Sequence, residues 1–596
     1  MMRSLFCLCW LVICLLSSSC ARLLLDPSEV SKEYDFVIVG AGTAGSVLAN
    51  RLTENPKFNV LVIEAGISDV GVDDLIIPFF ALLATPDRPW TWNYTTTLQE
   101  GFNNRSIVYP RGRVLGGSSS VNIMVYTRGS SEDYDRFAKV TKDSRWSWKE
   151  FQPYLKKPEH FVEPADHHNI TGEFNPAVHN FNGPLLVSVA GNIAATDGRV
   201  IQTAHDVDEF TFNLDMNSGD ILGIGNTQST IGNSARCSSS VAYLRPVINR
   251  RNLDVLIQTQ VTKVLHERTI NGQPLFNTVE FAQSPTGRRF QVTANKEVIL
   301  SAGVIGTPQI LMLSGIGDSH DLSKLGIKPI INLPSIGKNL SDHPLFASQW
   351  VVINNTSTFE DAEQNVTVAA EQLAQYKANG TGPLVQGPSN QIGWLRLPQD
   401  SPILKTTPDP SSGPKSAHFE LLFSNGYSSF VDAPPSTGRY FSVLNTVASP
   451  TSRGTVQLRS TDPFEFPIID PKLLSTDFDI SVMIEGAKSA RRFIAASVWD
   501  DYVIAPFGIQ GGLDTDEKLE QFIRNTTSSE FHPVGTASMS PVGAHWGAVD
   551  PDLKLKGVAG LRIVDASVFP FLPAAHPQAA VYGTAELAAD IIKASH

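Results

Sequence analysis

Apolar positions come in short runs separated by glycine, proline and polar residues, the pattern of a chain that alternates buried strands with helices. Tyr34, Phe36, Val37, Ile38 and Val39 form a run that reads as a short buried strand, and Ala44, Val47, Leu48 and Leu52 follow at helical spacing. A second run, Val60 to Ile63, ends on Glu64. Further strands are expected over Leu253–Leu265, Phe276–Phe281 and Glu297–Leu300, with a helix over Thr307–Leu313. Phe419–Phe423 and Tyr440–Val447 show alternation. Ile480–Phe493, Glu517–Ile523 and Ala579–Ile592 have helical periodicity, with Pro577 expected at the first helical position of the last. Trp146–Gln228 reads as loop-rich, and Ser238–Arg245 as the start of a β-rich section.

The junction between the first strand and helix carries Gly40, Gly42 and Gly45 at G-x-G-x-x-G spacing. A strand, a glycine turn and a helix N-terminus make a pyrophosphate site. Gly40 allows the turn, Gly42 lets N–H groups approach phosphate, and Gly45 lets helix pack on strand. Thr43 and Ala44 lie in the same turn, and Glu64 stands at the distance expected for a ribose hydroxyl. The motif suits NAD and FAD alike. A second glycine segment, Tyr109 to Gly129, mixes Gly112, Gly116 and Gly117 with Arg111, Arg113 and Arg128, and its apolar part, Val121 to Tyr126, is expected to be buried. Between the two motifs lies an irregular excursion with Trp90, Trp92 and Tyr94, expected to cover the cofactor or to pack as ordinary core.

The chain has 596 residues, enough for two or three domains. Its net charge of −12 argues against nucleic acid or an anionic membrane as partner. Arg3 followed by the apolar run Leu5–Leu16 and the small residues Ser19-Cys20-Ala21 reads as a signal peptide over 1–21, and a secreted, extracellular protein is expected. Sequons at Asn93, Asn104, Asn169, Asn339, Asn354, Asn355, Asn365, Asn379 and Asn525 fit a glycoprotein, with Asn339 expected to be too buried for use. Cys7, Cys9, Cys14 and Cys20 fall in the signal, so Cys237 alone remains and no internal disulfide is expected. Without thiolates or clustered histidines, no metal site is expected. His167, His168 and His545 read as surface residues, and Asp342-His343 as a structural turn.

The segment Tyr109–Gly129 resembles the first signature of the glucose-methanol-choline (GMC) flavin oxidoreductases. Ser301–Gly317 is similar to the second, and His532–Met539 followed by Asp565–Pro570 to the C-terminal motifs. The resemblance runs from about residue 33 to the end. Within the family it is to the fungal aryl-alcohol oxidases, and less to sugar dehydrogenases. It implies an α/β fold (α+β overall). The FAD-binding domain would be Rossmann-like and discontinuous, over 33–150, 235–343 and 531–596. A substrate-binding domain on an antiparallel sheet would take 151–234 and 344–530. It further implies FAD contacts from Val114, Gly117, Ser118, Asn122, Ile123, Met124, Val125, Val261, Asp565, Ala566 and Gln578. Gly116 to Arg128 holds no His or Cys, so the flavin is expected to be non-covalent.

His532 and His576, each before a proline, match the family's catalytic pair. Losing a hydride from an alcohol also releases a proton, which a near-neutral histidine is suited to take. The resemblance makes His532 the base and His576 the residue holding the alcohol oxygen. Phe531, Tyr427 and Phe430 are candidates for an aromatic substrate pocket. Asn122-Ile123 stands where aryl-alcohol oxidases commonly carry His-Tyr, so one aromatic wall is expected to be missing and aliphatic, furanic and sugar alcohols stay open. The positive end of the last helix is expected to face the flavin. The expectation is a monomeric oxidase of primary aryl or related alcohols, yielding aldehyde and hydrogen peroxide with O2. The alternatives are a dehydrogenase of sugars or alcohols using quinones, and a hydroxynitrile lyase that keeps FAD.

Overall fold

A computed structural model describes residues 22–30 and 33–596. The expected signal peptide over 1–21 and its four cysteines lie outside the described residues.

The first unit is built on a mostly parallel sheet. Its strand order is Arg22–Leu24, Leu253–Leu256, Val60–Ile63, Tyr34–Val39, Phe290–Leu300, Thr278–Ala282, Gln260–Leu265, with Leu561–Ile563 paired on Phe290–Leu300. Tyr34–Val39 pairs in parallel with both Val60–Ile63 and Phe290–Leu300, placing Ile63, Val39, Leu300 and Ile563 in one row. The residues that follow (Gly40, Glu64, Ser301 and Val564) therefore leave the sheet at one edge, where parallel sheets bind ligands. The helices Thr43–Leu52 and Gln578–Ser595 pack together against this sheet. Val37, Ile38, Val47, Leu48, Val62, Ile299, Tyr582 and Ala585 are all buried in that core.

The second unit is a wholly antiparallel sheet. Its order is Val503–Pro506, Pro344–Val352, Tyr440–Val447, Phe419–Ser424, Gln391–Leu395, Gly223–Asn226, with Ser528–Ser529 also paired on Pro344–Val352. The helix Asp477–Ile494 covers one face. The alternation in Phe419–Ser424 and Tyr440–Val447 does not mark a solvated face, since every residue of both strands is buried. Leu421, Phe423 and Val443 join the core beneath the helix. Leu422, Ser424 and Leu444 line a cavity on the other face, so that face looks into a site instead of into water.

Several elements differ from their sequence reading. The single strand expected over Leu253–Leu265 breaks between Leu256 and Gln260, where Gln258 turns through φ 54°. Trp146–Gln228 holds two helices, Trp148–Lys156 and Asp197–Asp206. Ser240–Leu244 is a single helical turn and not a strand. The boundary expected at residue 151 does not separate the cores, because Phe151, Leu155, Leu185 and Val187 pack with the first sheet. Pro577 is the capping residue of the last helix, which begins at Gln578. Its φ of −71° suits the helix entrance without placing it inside. Cys237 is a buried free thiol, as the cysteine count implies. Among the described residues no helix is long and apolar enough to cross a membrane.

Candidate active site

A cavity of about 820 Å³ lies between the sheet edge of the first unit and the inner face of the second. At one end it is bounded by Gly40, Gly42, Thr43, Ala44, Glu64 and Val261, and at the other by His532 and His576.

The glycine end is made by close backbone approach. Gly40 has φ +97°, and a Cβ there would sit 2.5 Å from the Ser301 carbonyl oxygen. A Cβ on Gly45 would meet the Gly40 carbonyl at 2.0 Å, so this glycine is a packing residue and does not face the cavity. Gly117, at φ +54°, presses on Gly42, where a Cβ would lie 2.6 Å from the Gly42 Cα. Two glycine turns thus meet across the cavity wall and leave it free of side chains. The helix from Thr43 has no side-chain cap. Its first N–H groups are available to a phosphate. Glu64 accepts hydrogen bonds from Ala41 N and Gly66 N, each 2.8 Å, which fixes both carboxylate oxygens beside the cavity. Burial pushes its pKa up, against those backbone donors.

Ser118, Asn122, Ile123, Met124 and Val125 line the middle. Asn122 Oδ1 accepts from Met124 N at 3.1 Å and from Arg236 Nη1 at 2.7 Å, bracing this stretch. Val114 does not line the cavity. It is fully buried in a small cluster with Leu75, Ala84 and Val121, because the chain turns at Leu115–Gly117 and directs it away. Asp565 accepts from Gly303 N at 2.9 Å and Thr307 Oγ1 at 2.6 Å, tying the C-terminal strand to the helix Gly303–Leu313, and Asp565, Ala566 and Gln578 all line the cavity. Of the aromatic excursion, Trp92 and Tyr94 reach the cavity wall. Trp90 packs beside the Leu75 cluster and donates to the Ala84 carbonyl. An uncluttered glycine cradle, exposed helix N–H groups, a fixed carboxylate and a long cleft are what an FAD dinucleotide requires, and the residues fit it.

At the far end the His532 and His576 rings lie 4.6 Å apart, inclined at 73°. Phe531 (φ 61°) donates its N–H to Ser529 Oγ at 2.7 Å, and the His532 backbone is held by Asp342. Its Oδ1 accepts from His532 N at 2.7 Å, and its Oδ2 accepts from Ser529 Oγ at 2.5 Å and from the Tyr109 hydroxyl. His576 N donates to Thr127 Oγ1 at 2.9 Å. Phe531, Tyr427 and Phe430 line the cavity nearby.

Two carboxylates flank the pair that sequence reading did not select. Glu420 Oε1 lies 3.0 Å from His576 Nε2. Glu530 Oε1 lies 3.5 Å from the same nitrogen, and Glu530 Oε2 3.3 Å from His532 Nδ1. Their effect is asymmetric. Burial pulls the His532 imidazole down to about 3, with Glu530 opposing and His576 and His343 reinforcing, so His532 is neutral at physiological pH. Burial also works against a charged His576, but Glu420 and Glu530 outweigh it and raise its pKa. Burial and repulsion from Glu530 push Glu420 up to about 7. Glu530 stays ionised because the histidines around it outweigh its burial. The surroundings thus push the two rings apart, His532 toward the neutral form whose lone pair can accept a proton and His576 toward the charged form that can stabilise an oxyanion.

Asp342-His343 is more than a structural turn: His343 Nδ1 lies 3.1 Å from His532 Nδ1. His343, Glu530 and His532 bring two ring nitrogens and a carboxylate oxygen close together, and Glu420, Glu530 and His576 bring together two carboxylate oxygens and a ring nitrogen. Linear spacing could not show either group. One signal was present: Glu420 is a lone charge in the apolar run Phe419–Phe423. Elsewhere, His545 is exposed as expected. His168 is half-buried between Asp166 and Glu173, at 2.6 and 3.1 Å, and is not a free surface residue.

The GMC oxidoreductase N-terminal family model matches residues 34–345, and the C-terminal model residues 450–585. The chain is 41% identical over 593 residues to "Dehydrogenase eriK" of Hericium erinaceus, covering 97% of each chain. It is 40% identical over 585 residues to a pyranose dehydrogenase of Agaricus campestris, covering 96% of this chain and 95% of that one. Formate oxidase of Aspergillus oryzae superposes with a TM-score of 0.87 at 28% identity, over 95% of this chain and 99% of that chain. A fungal aryl-alcohol oxidase superposes with a TM-score of 0.81 at 27% identity, over 95% and 100%. With both family models matched and relatives spanning nearly its whole length, this chain belongs to the GMC oxidoreductases, FAD enzymes that act on CH–OH donors.

Proposed function

We propose that this enzyme oxidises one hydroxyl of a hydroxyl-rich alcohol, a sugar or related polyol, as a secreted glycoprotein. The observation that carries this is Glu530. It lies on the cavity wall beside both histidines, yet neither of its buried oxygens accepts a hydrogen bond from the protein. Its ion pairs to the two rings, at 3.3 and 3.5 Å, leave that hydrogen-bonding capacity unfilled, at a cost of roughly 1–3 kcal/mol. A substrate hydroxyl beyond the reacting one satisfies it, and a simple benzylic alcohol has none to offer. The pyranose dehydrogenases among the relatives support the same reading.

Bound in the cleft, FAD supplies the hydride acceptor. The chain's own residues manage the proton. Neutral His532 takes it from the reacting hydroxyl as the carbon–hydrogen bond breaks, a contribution of roughly 10²–10⁴-fold. Charged His576, held by Glu420 and Glu530, donates to the oxygen on which negative charge develops.

A second reading, an aryl-alcohol oxidase, is favoured by the aromatic lining of Trp92, Tyr94, Tyr427, Phe430 and Phe531. An anaerobic panel followed by flavin absorbance separates the two. Sugars and polyols are expected to bleach the flavin. Bleaching by benzylic alcohols alone overturns the first reading, and bleaching by no alcohol points to a lyase. Peroxide formed per carbonyl after admission of air distinguishes O2 from a quinone as acceptor.

A further inference from the structure

We propose that His343 is a positioning residue for the base, holding His532 in the tautomer whose Nε2 lone pair is free to take the substrate proton. The inference rests on His532 being the base.

His343 is fully buried and makes two ring contacts. Its Nε2 lies 3.1 Å from the Ala448 carbonyl oxygen and its Nδ1 lies 3.1 Å from His532 Nδ1. A carbonyl only accepts, so His343 Nε2 carries the hydrogen, and in the neutral ring Nδ1 is then a lone pair. The short contact to His532 is a hydrogen bond only if His532 Nδ1 carries the hydrogen. That leaves His532 Nε2 bare. A chain of three groups, carbonyl to His343 to His532, thus sets the proton inventory of the base.

Glu530 does not replace this device. Its Oε2 stands 3.3 Å from His532 Nδ1 and 3.6 Å from His343 Nδ1, but neither oxygen meets hydrogen-bond geometry with any group. It supplies charge where His343 supplies direction. The remaining polar groups around the two rings are His576 and Glu420 on one side and Asp342 on the other, the last engaged with backbone N–H, Ser529 and Tyr109.

The anchor of the chain comes from sheet register. Pro344–Val352 pairs with Tyr440–Val447 through Leu345 opposite Thr446. His343 lies two residues before Leu345 and Ala448 two after Thr446, so continuing the same register sets them face to face. A one-residue slip would reverse the side chains. The register of the substrate-side sheet therefore decides the protonation pattern of a residue in the catalytic pair.

The test begins with ¹⁵N-histidine NMR of the FAD-loaded, substrate-free enzyme, the His532 signals being identified by their loss in His532→Gln. The expected result is a protonated Nδ1 and an unprotonated Nε2. The reverse pattern, which a protonated His343 would impose, overturns the proposal. In stopped-flow reduction, His343→Leu is expected to slow flavin reduction by about 10²-fold with KM held within about threefold. His343→Asn, whose Oδ1 can accept near the position of Nδ1, is expected to recover about tenfold of that loss. An unimpaired leucine variant, or an asparagine variant no better than leucine, overturns it. Should the leucine variant not fold, the wild-type tautomer and the asparagine variant decide. The NMR result needs no substrate, so an error in the assigned alcohol leaves it standing.

Discussion

His576 sits between two carboxylates, and that environment decides what the ring can do. Its proton is retained below its raised pKa and lost as the pH rises through it. Removing one carboxylate lowers that pKa. Glu530→Gln is accordingly expected to move the alkaline limb of the flavin-reduction profile to lower pH, as read by stopped-flow rates across pH. An unchanged limb or a move upward would contradict the charged role of His576. His532→Ala is expected to cut the same rate by about 10²–10⁴-fold while the flavin stays bound, as read by absorbance. His532 and His576 were legible in the sequence because each stands in a compact motif beside proline. Glu420 and His343 were not, because each acts across the fold, the first from the second position of the strand Phe419–Ser424 and the second from the entrance to Pro344–Val352.

Among elements, the strand–turn–helix at Gly40 was the most legible, because each of its requirements is local. The φ of +97° at Gly40 and the 2.5 Å approach to Ser301 oxygen leave no room for a methyl group. Gly40→Ala is expected to yield protein largely without flavin, measured as the ratio of flavin to protein absorbance. Full flavin content would mean that the turn tolerates a shift that this packing forbids. The strands Phe419–Ser424 and Tyr440–Val447 were legible as strands but not in their orientation. Alternation says that two faces differ. It does not say whether the polar face meets water or a cavity, and here Glu420, Leu422 and Ser424 occupy the cavity side. The helix Val366–Asn379 buries none of its residues and carries exposed sequon asparagines at both limits, Asn365 and Asn379.

At the scale of the whole molecule, the cleft that would hold FAD is lined by residues of both units. Binding to the folded state alone contributes about 2.7 kcal/mol when free ligand is 100 times its Kd. Flavin-free enzyme is therefore expected to melt at a lower temperature than the holoenzyme. Acid precipitation is expected to leave the flavin in the supernatant, since Gly116–Arg128 offers no His or Cys for attachment. Flavin retained in the pellet would show a covalent link. The sequence by itself determined the nucleotide turn, the family and the two histidines, because glycine spacing, strand periodicity and short motifs are properties of neighbouring residues. Tertiary structure alone decided which carboxylates flank those histidines, that Val114 turns into the core, and that His343 meets His532. Such contacts join residues up to about two hundred positions apart, and the register of two sheets brings them together.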